Sequence, residues 1–127
     1  MKIFILLVLL TSVKSCIVLS QSDKVYKSYE VDTTPEFIGG DEAEEKFIRR
    51  NLKWPSEDFG YSGYVVIHAF VNIDGRLKDV KLVKKLCPFC DKEAIRVVSL
   101  MPKWIPATKR GKKVNCEVEI PIHFKLE

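Results

Sequence analysis

The sequence predicts an α+β domain: a small antiparallel three-stranded sheet with two helices on one face, in the order α-β-β-α-β. Three observations carry this. The last stretch, Val114 to Leu126, is apolar at every second residue, the period of a strand with one buried face. Two more alternating runs, Tyr64–Ile73 and Leu77–Leu86, are joined by Asp74-Gly75, a tight hairpin signal. Two stretches with helical apolar spacing lie on either side of that hairpin, each followed by a proline. Packing both helices on one face of a single sheet is the economical way to bury these patterns.

The length of 127 residues, with 46% apolar and 30% charged, suits one small domain. The formal charge of +4 falls to +2 once Lys2 and Lys14 are discounted, a balance that does not call for nucleic acid as a partner. Residues 1–20 read as an export signal. Lys2 supplies the charged start, and Ile3 to Leu10 form an apolar run too short to span a membrane. Val18 and Ser20 suit cleavage before Gln21, and Cys16 is the alternative, a lipid-bearing cysteine. Either way the expected compartment is oxidising, most simply a bacterial periplasm. Residues 21–34 are polar, with scattered Val25, Tyr26, Tyr29 and Val31, and read as a tether or an accessory strand.

The domain proper is expected over residues 35–127. Pro35 to Gly40 is a turn. Asp41 then opens a helix, with Asp41 and Glu44 at capping-box spacing and Ala43, Phe47, Ile48 and Leu52 on one face. Pro55 is expected to end it by disfavouring a helical Trp54. Tyr64–Ile73 follows, with Val65, Ile67, Ala69, Val71 and Ile73 on its apolar face, and then the return strand, with Val80, Leu82 and Leu86 on one face. A second helix is expected from about Asp91 to Met101, with Ala94, Ile95, Val98 and Met101 inward and Pro102 as its stop. Ala107 to Lys113 reads as a basic loop, mostly solvated, with the steering of acidic peptides as its functional reading.

In the last strand, Val114, Cys116, Val118, Ile120, Ile122 and Phe124 alternate with Asn115, Glu117, Glu119, Pro121 and His123. Proline cannot donate to a ladder, so Pro121 belongs on a sheet edge. The apolar richness of Tyr64–Ile73 makes that strand the central one, which leaves Val114–Leu126 at an edge able to recruit another strand.

Several pieces, in order, resemble one family. They are P-E-F-I-G-G-D at 35–41, N-L-K-W-P at 51–55, G-Y-V-V at 63–66 and F-V-N-I-D-G-R-L at 70–77. They continue with D-K-E-A-I-R-V-V at 91–98, M-P-K-W-I-P at 101–106 and P-I-H-F-K-L at 121–126. The ordered set is similar to the C-terminal domain of TonB, the periplasmic energy transducer, over about Val25 to Leu126. The resemblance implies the same fold and gives the edge a use. TonB-type domains grip an extended peptide near the N-terminus of outer-membrane transporters, which adds as a strand beside the last strand. Here that implies Val114 to Phe124 as the peptide-binding stretch. The family's aromatic-proline element maps to Trp54-Pro55, near the same groove. A full transducer also has an inner-membrane helix and a long Pro-rich stretch. This sequence has neither, since all six prolines lie at or after position 35, so the expectation is a free-standing binding domain.

Two further readings stay open at this stage. Cys87-Pro88-Phe89-Cys90 has the spacing of a thiol–disulfide redox pair before a helix, and equally that of a structural disulfide. Cys116 could be a core thiol or bridge to Cys87 or Cys90. The last strand could also pair with a second copy to give a homodimer. His68 and His123 lie on strands without metal-ligand spacing, and no metal or other cofactor is expected. Trp104 is expected to pack over one end of the sheet. No Ser-His-Asp set, catalytic acid pair or phosphate-cradling loop is evident, so a non-catalytic binding role is expected.

Overall fold

A computed structural model describes residues 24–54, 60 and 62–125. The export-signal stretch, the lipidation candidate Cys16, Pro55 and Leu126 lie outside the described residues. In chain order the elements are β1 (Val25–Tyr26), a 3-10 turn (Ser28–Glu30), α1 (Asp41–Asn51), β2 (Gly63–Val71), β3 (Leu77–Lys84), α2 (Pro88–Ser99), β4 (Ala107–Lys109) and β5 (Lys112–Phe124). The α+β class and the two helices are as expected. The three-stranded antiparallel sheet is not, because the sheet has five strands and is mixed, ordered β1-β5-β2-β3 with β4 also on β5.

The core follows from alternation. Val65, Ile67, Ala69 and Val71 of β2 and Cys116, Ile120, Ile122 and Phe124 of β5 are all buried on one face. Ile48 of α1 and Ala94, Val97 and Val98 of α2 close over it in one cluster, with Phe37 and Trp104. Each fully buried Val, Ile or Phe contributes roughly 1.5–3 kcal/mol relative to exposure, so the face of β2 and β5 dominates the fold.

Local chemistry explains where elements depart from the sequence expectation. Gly40, not Asp41, is the N-cap of α1, which places Asp41 in the first turn with Glu42 and Glu44 beside the helix's positive end. The helix stops at Asn51 because Leu52 is already extended (φ −71°, ψ 123°), so its end does not wait for Pro55. The β2–β3 connection is not a two-residue turn. Asn72 closes it, donating its N–H to the Arg76 carbonyl while its Oδ1 accepts from the N–H groups of Asp74 and Arg76. Ile73 therefore falls in the loop, not on the strand face. β3 opposes β2 irregularly at two points, between Val66 and Ile67 and between His68 and Phe70. Val83 is the extra residue in the first, and in the second Asp79 and Val80 stand opposite the single Ala69, with Asp79 at φ 51°. This bend exposes Val80, so Leu77, Leu82 and Leu86 pack on the core instead.

The second helix starts earlier than expected. Cys87 caps it, its sulfur accepting from the Cys90 N–H at 2.9 Å, and Pro88 takes the first helical position, where its missing N–H costs nothing. Ala94, Val98 and Met101 pack inward as expected, Cys90 and Val97 share their face, and Ile95 is exposed. Cys87 and Cys90 form a disulfide, with Cα atoms 4.9 Å apart, and Cys116 is a free, buried thiol. The pairings of Cys116 left open by the sequence are thereby excluded. Replacing both Cys87 and Cys90 with serine is expected to cost about 2 kcal/mol, the small value for so short a loop. A urea melt with and without reductant checks it; an equal loss in the double variant and the reduced wild type is expected.

The basic loop is a β-hairpin. Lys109 pairs with Lys112 across Arg110-Gly111, both at positive φ (51° and 75°), the requirement of a two-residue primed turn. Residues 32–36 lace onto this hairpin. Asp32 Oδ2 accepts from the Arg110 N–H at 2.7 Å, Thr33 pairs with Thr108, and Glu36 pairs with Ile105. No helix among the described residues is long and apolar enough to cross a membrane.

Candidate functional site

β5 has two edges. One is filled by β2 in unbroken register from Gly63↔Phe124 to Val71↔Cys116. Cys116 also pairs with Tyr26, so β1 lies on the opposite edge, where it covers only Asn115 and Cys116. Beyond that point, along residues 118–124, no strand pairs with this edge among the described residues. The expected edge is thus real but shorter than the sequence suggested. Val114 is taken up by β4, and Asn115 and Cys116 by β1.

Pro121 gives the polarity of that edge. A proline fits an uninterrupted ladder only where its ring nitrogen points away from the partner strand. This turns the backbone groups of Glu119, Pro121 and His123 outward, since donors and acceptors alternate along an antiparallel strand. Their side chains lie on the wet face, while Ile120, Ile122 and Phe124 are fully buried. Val118 packs partly against the core.

The other sheet edge, β3, is built against pairing. It bulges twice and presents exposed Lys78, Lys81 and Lys84. Bulges and lysines are the usual means of keeping an edge strand solitary. Residues 118–124 carry neither; their one such device is Pro121, which removes a single donor.

An aromatic group marks the far end of the open edge. His123 stacks on Tyr64 at 4.3 Å between ring centroids, with the ring planes nearly parallel at 7°. Trp54 is 40% exposed and meets Phe124 edge-on at 5.6 Å. Two residues of α2 hold the chain that bears Trp54. Arg96 donates to the Asn51 carbonyl, closing the end of α1, and to the Glu93 carboxylate, which accepts the Lys53 N–H at 2.9 Å. The Arg96 guanidinium holds the Glu93 carboxyl below the usual range, against burial that pushes it up and with help from Lys53. Because the folded value is depressed, this contribution is present above the ordinary carboxylate range and is lost as pH falls through the folded value. Glu93→Ala is expected to cost roughly 2–3 kcal/mol at neutral pH, toward the lower end because Arg96 is partly wet. Urea melts at neutral and acid pH check this, and the gap between wild type and variant should narrow in acid.

At the near end, Glu117 joins three elements. Its Oε2 lies 3.1 Å from both Lys27 Nζ and His68 Nε2. Burial pushes its carboxyl up, but hydrogen bonds from His68, Lys27 and the Ser28 backbone outweigh this and hold it low.

The remaining candidates divide by accessibility. Cys87 is 5% exposed and Cys90 fully buried, so neither sulfur is open to attack by an incoming thiolate, which exchange chemistry requires. Burial pushes the Cys116 thiol up, consistent with a core residue and not a nucleophile. The Glu93–Arg96 clamp and the Glu117 contacts were not read from the sequence. A signal for the first existed: Glu93 falls on the same helix face as Cys90 and Val97.

A family model for the C-terminal region of the Gram-negative bacterial TonB protein matches residues 56–126. This chain belongs to the TonB C-terminal family. Two solution structures of the Helicobacter pylori TonB C-terminal domain are similar to it. The form spanning that protein's residues 179–285 aligns at 22% identity and a TM-score of 0.49, covering 65% of this chain and 77% of its own. The form spanning residues 194–285 gives the same identity and score, covering 68% and 92%. No curated protein sequence matches this chain. The matched TonB segment contains all of β2 to β5 and hence the whole open edge.

Proposed function

We propose that this chain binds an extended segment of another envelope protein, adding it as a strand along residues 118–124 of β5. Membership of the TonB C-terminal family supports a periplasmic setting and a role in transport, with an outer-membrane transporter as the partner class. The observation that carries the reading is the contrast between the two sheet edges: β3 is bulged and lined with lysine, whereas β5 runs without a bulge and turns the backbone groups of Glu119 and His123 outward, with the Pro121 carbonyl between them and one donor missing at that proline. Main-chain hydrogen bonds would supply much of the affinity, and Glu119, His123, Tyr64 and Trp54 would read the side chains of the segment. Nothing in this role requires a cofactor or a catalytic residue.

The test is an NMR titration with a synthetic peptide from the N-terminal segment of a TonB-dependent transporter of the source organism. Amide shifts and new exchange protection should concentrate at residues 118–124. Shifts confined to β3 or to the 3-10 turn would sink the reading.

A further inference from the structure

We propose that β1 is a displaceable strand sharing the β5 edge with the partner, so that a short segment docks beside it and a longer one takes its place. This rests on the strand-addition reading. β1 is two residues long and runs parallel to β5, pairing Val25 with Asn115 and Tyr26 with Cys116. It occupies the same edge as residues 118–124, since β2 fills the other side of β5. Directly after it the chain leaves the sheet. The Glu30 N–H donates to the Lys27 carbonyl at 2.9 Å, closing the 3-10 turn, the Lys27 N–H donates back to Glu30 Oε2, and Lys27 Nζ reaches across to Glu117. The covered and open parts of the edge are therefore contiguous, and Lys27 marks the boundary.

Little holds β1 down. Val25 and Lys27 are exposed, and the Tyr26 ring lies between Lys24 and Lys109, with ammonium groups 4.6 and 4.7 Å from its centroid. Contacts of these kinds on a wet surface are individually weak. The next segment is different. Asp32 and Thr33 both donate to the Thr108 carbonyl, Thr108 donates back to Thr33, and Glu36 exchanges two backbone bonds with Ile105. Release of β1 can thus stop at the 3-10 turn without loosening the hairpin beneath. Once released, β5 offers its edge from residue 115 onward, and the gain goes only to a segment long enough to use it.

The experiment uses the intact chain, with peptides selected on it from a random ten-residue display library. Each is made at full length and cut to the length of the 118–124 edge. Lys27→Ala frees β1. Tyr26→Cys, the register partner of Cys116, locks it when oxidised, since neighbouring strands lie about 4.8 Å apart, within disulfide reach. Lys27→Ala should speed amide exchange at residues 115–117 about two- to fivefold and tighten the long peptide by the same factor. The short peptide should be unaffected. In the locked chain the long peptide should bind no tighter than the short one. Peptides that bind locked and freed chains alike, or unchanged exchange in Lys27→Ala, would overturn the role of β1 alone. Failure of every peptide to bind any variant would overturn strand addition itself, and this proposal with it.

Discussion

Gly75→Ala is expected to destabilise the domain by roughly 3–5 kcal/mol, a large share of the 5–15 kcal/mol typical of such a fold. Gly75 has φ 86°, and an added Cβ would lie 2.2 Å from the Trp104 carbonyl oxygen. The left-handed backbone alone costs an L-residue about 1–2 kcal/mol. The clash cannot be relieved by a flexible side chain, because the obstacle is backbone. Gly75 also accepts the Trp104 N–H at 2.7 Å, so the two chains are fixed on each other. Moving Trp104 disturbs its edge-on contact with Phe37 at 5.6 Å and opens the end of the core. Gly111→Ala is the control: it has φ 75°, and an added Cβ would meet nothing within 4 Å. It should lose only about 1–2 kcal/mol. Thermal melts of both variants decide the matter. Equal losses would mean that the approach to Trp104 is not what makes Gly75 necessary.

Glu119→Pro is expected to weaken binding of an added strand at least about tenfold while the domain stays folded. It removes an outward N–H and interrupts the open ladder, and one such bond is worth about 1 kcal/mol before the disruption of its neighbours. Ile120 would be the natural target from the sequence pattern. In the structure it is fully buried and paired with Ile67, so proline there would break the core rather than report on the edge. Glu119→Gln separates the lost charge from the lost donor. Affinity for the transporter peptide should survive in the glutamine variant and fall in the proline variant, with folding followed by circular dichroism. If the proline variant binds normally, the partner does not use this ladder.

What could be read in advance was whatever repeats along the chain. The alternation of β2 and β5 named the buried residues of both strands, and Pro121 pointed to an edge. The features that shape the site have no period. β1 is too short to alternate and exists because Asn115 and Cys116, some ninety positions later, give it a partner. The bulges of β3 are set by its pairing with β2, so Val80 looked inward by parity and is not. In α2 the inward face of Ala94, Val98 and Met101 was legible, and the earlier start at Pro88, capped by Cys87, adds the turn that brings Cys90 onto that face. Glu93 was passed over because a charge on an apolar face was not matched with the Lys53 N–H it accepts, nor with Arg96, whose guanidinium it holds and which donates to the Asn51 carbonyl.

The order β1-β5-β2-β3 places β5, which follows β2 and β3 in the sequence, between β1 and β2. As the chain emerges from its N-terminus, β1 has no neighbour, and β2 can pair only with β3. Until β5 arrives, one side of β2 is bare and half of the core face is missing. The thirteen-residue β5 therefore completes the core face begun by β2. A domain built this way stays open until β5 is in place, and then closes through contacts between distant parts of the sequence, which are slow to form.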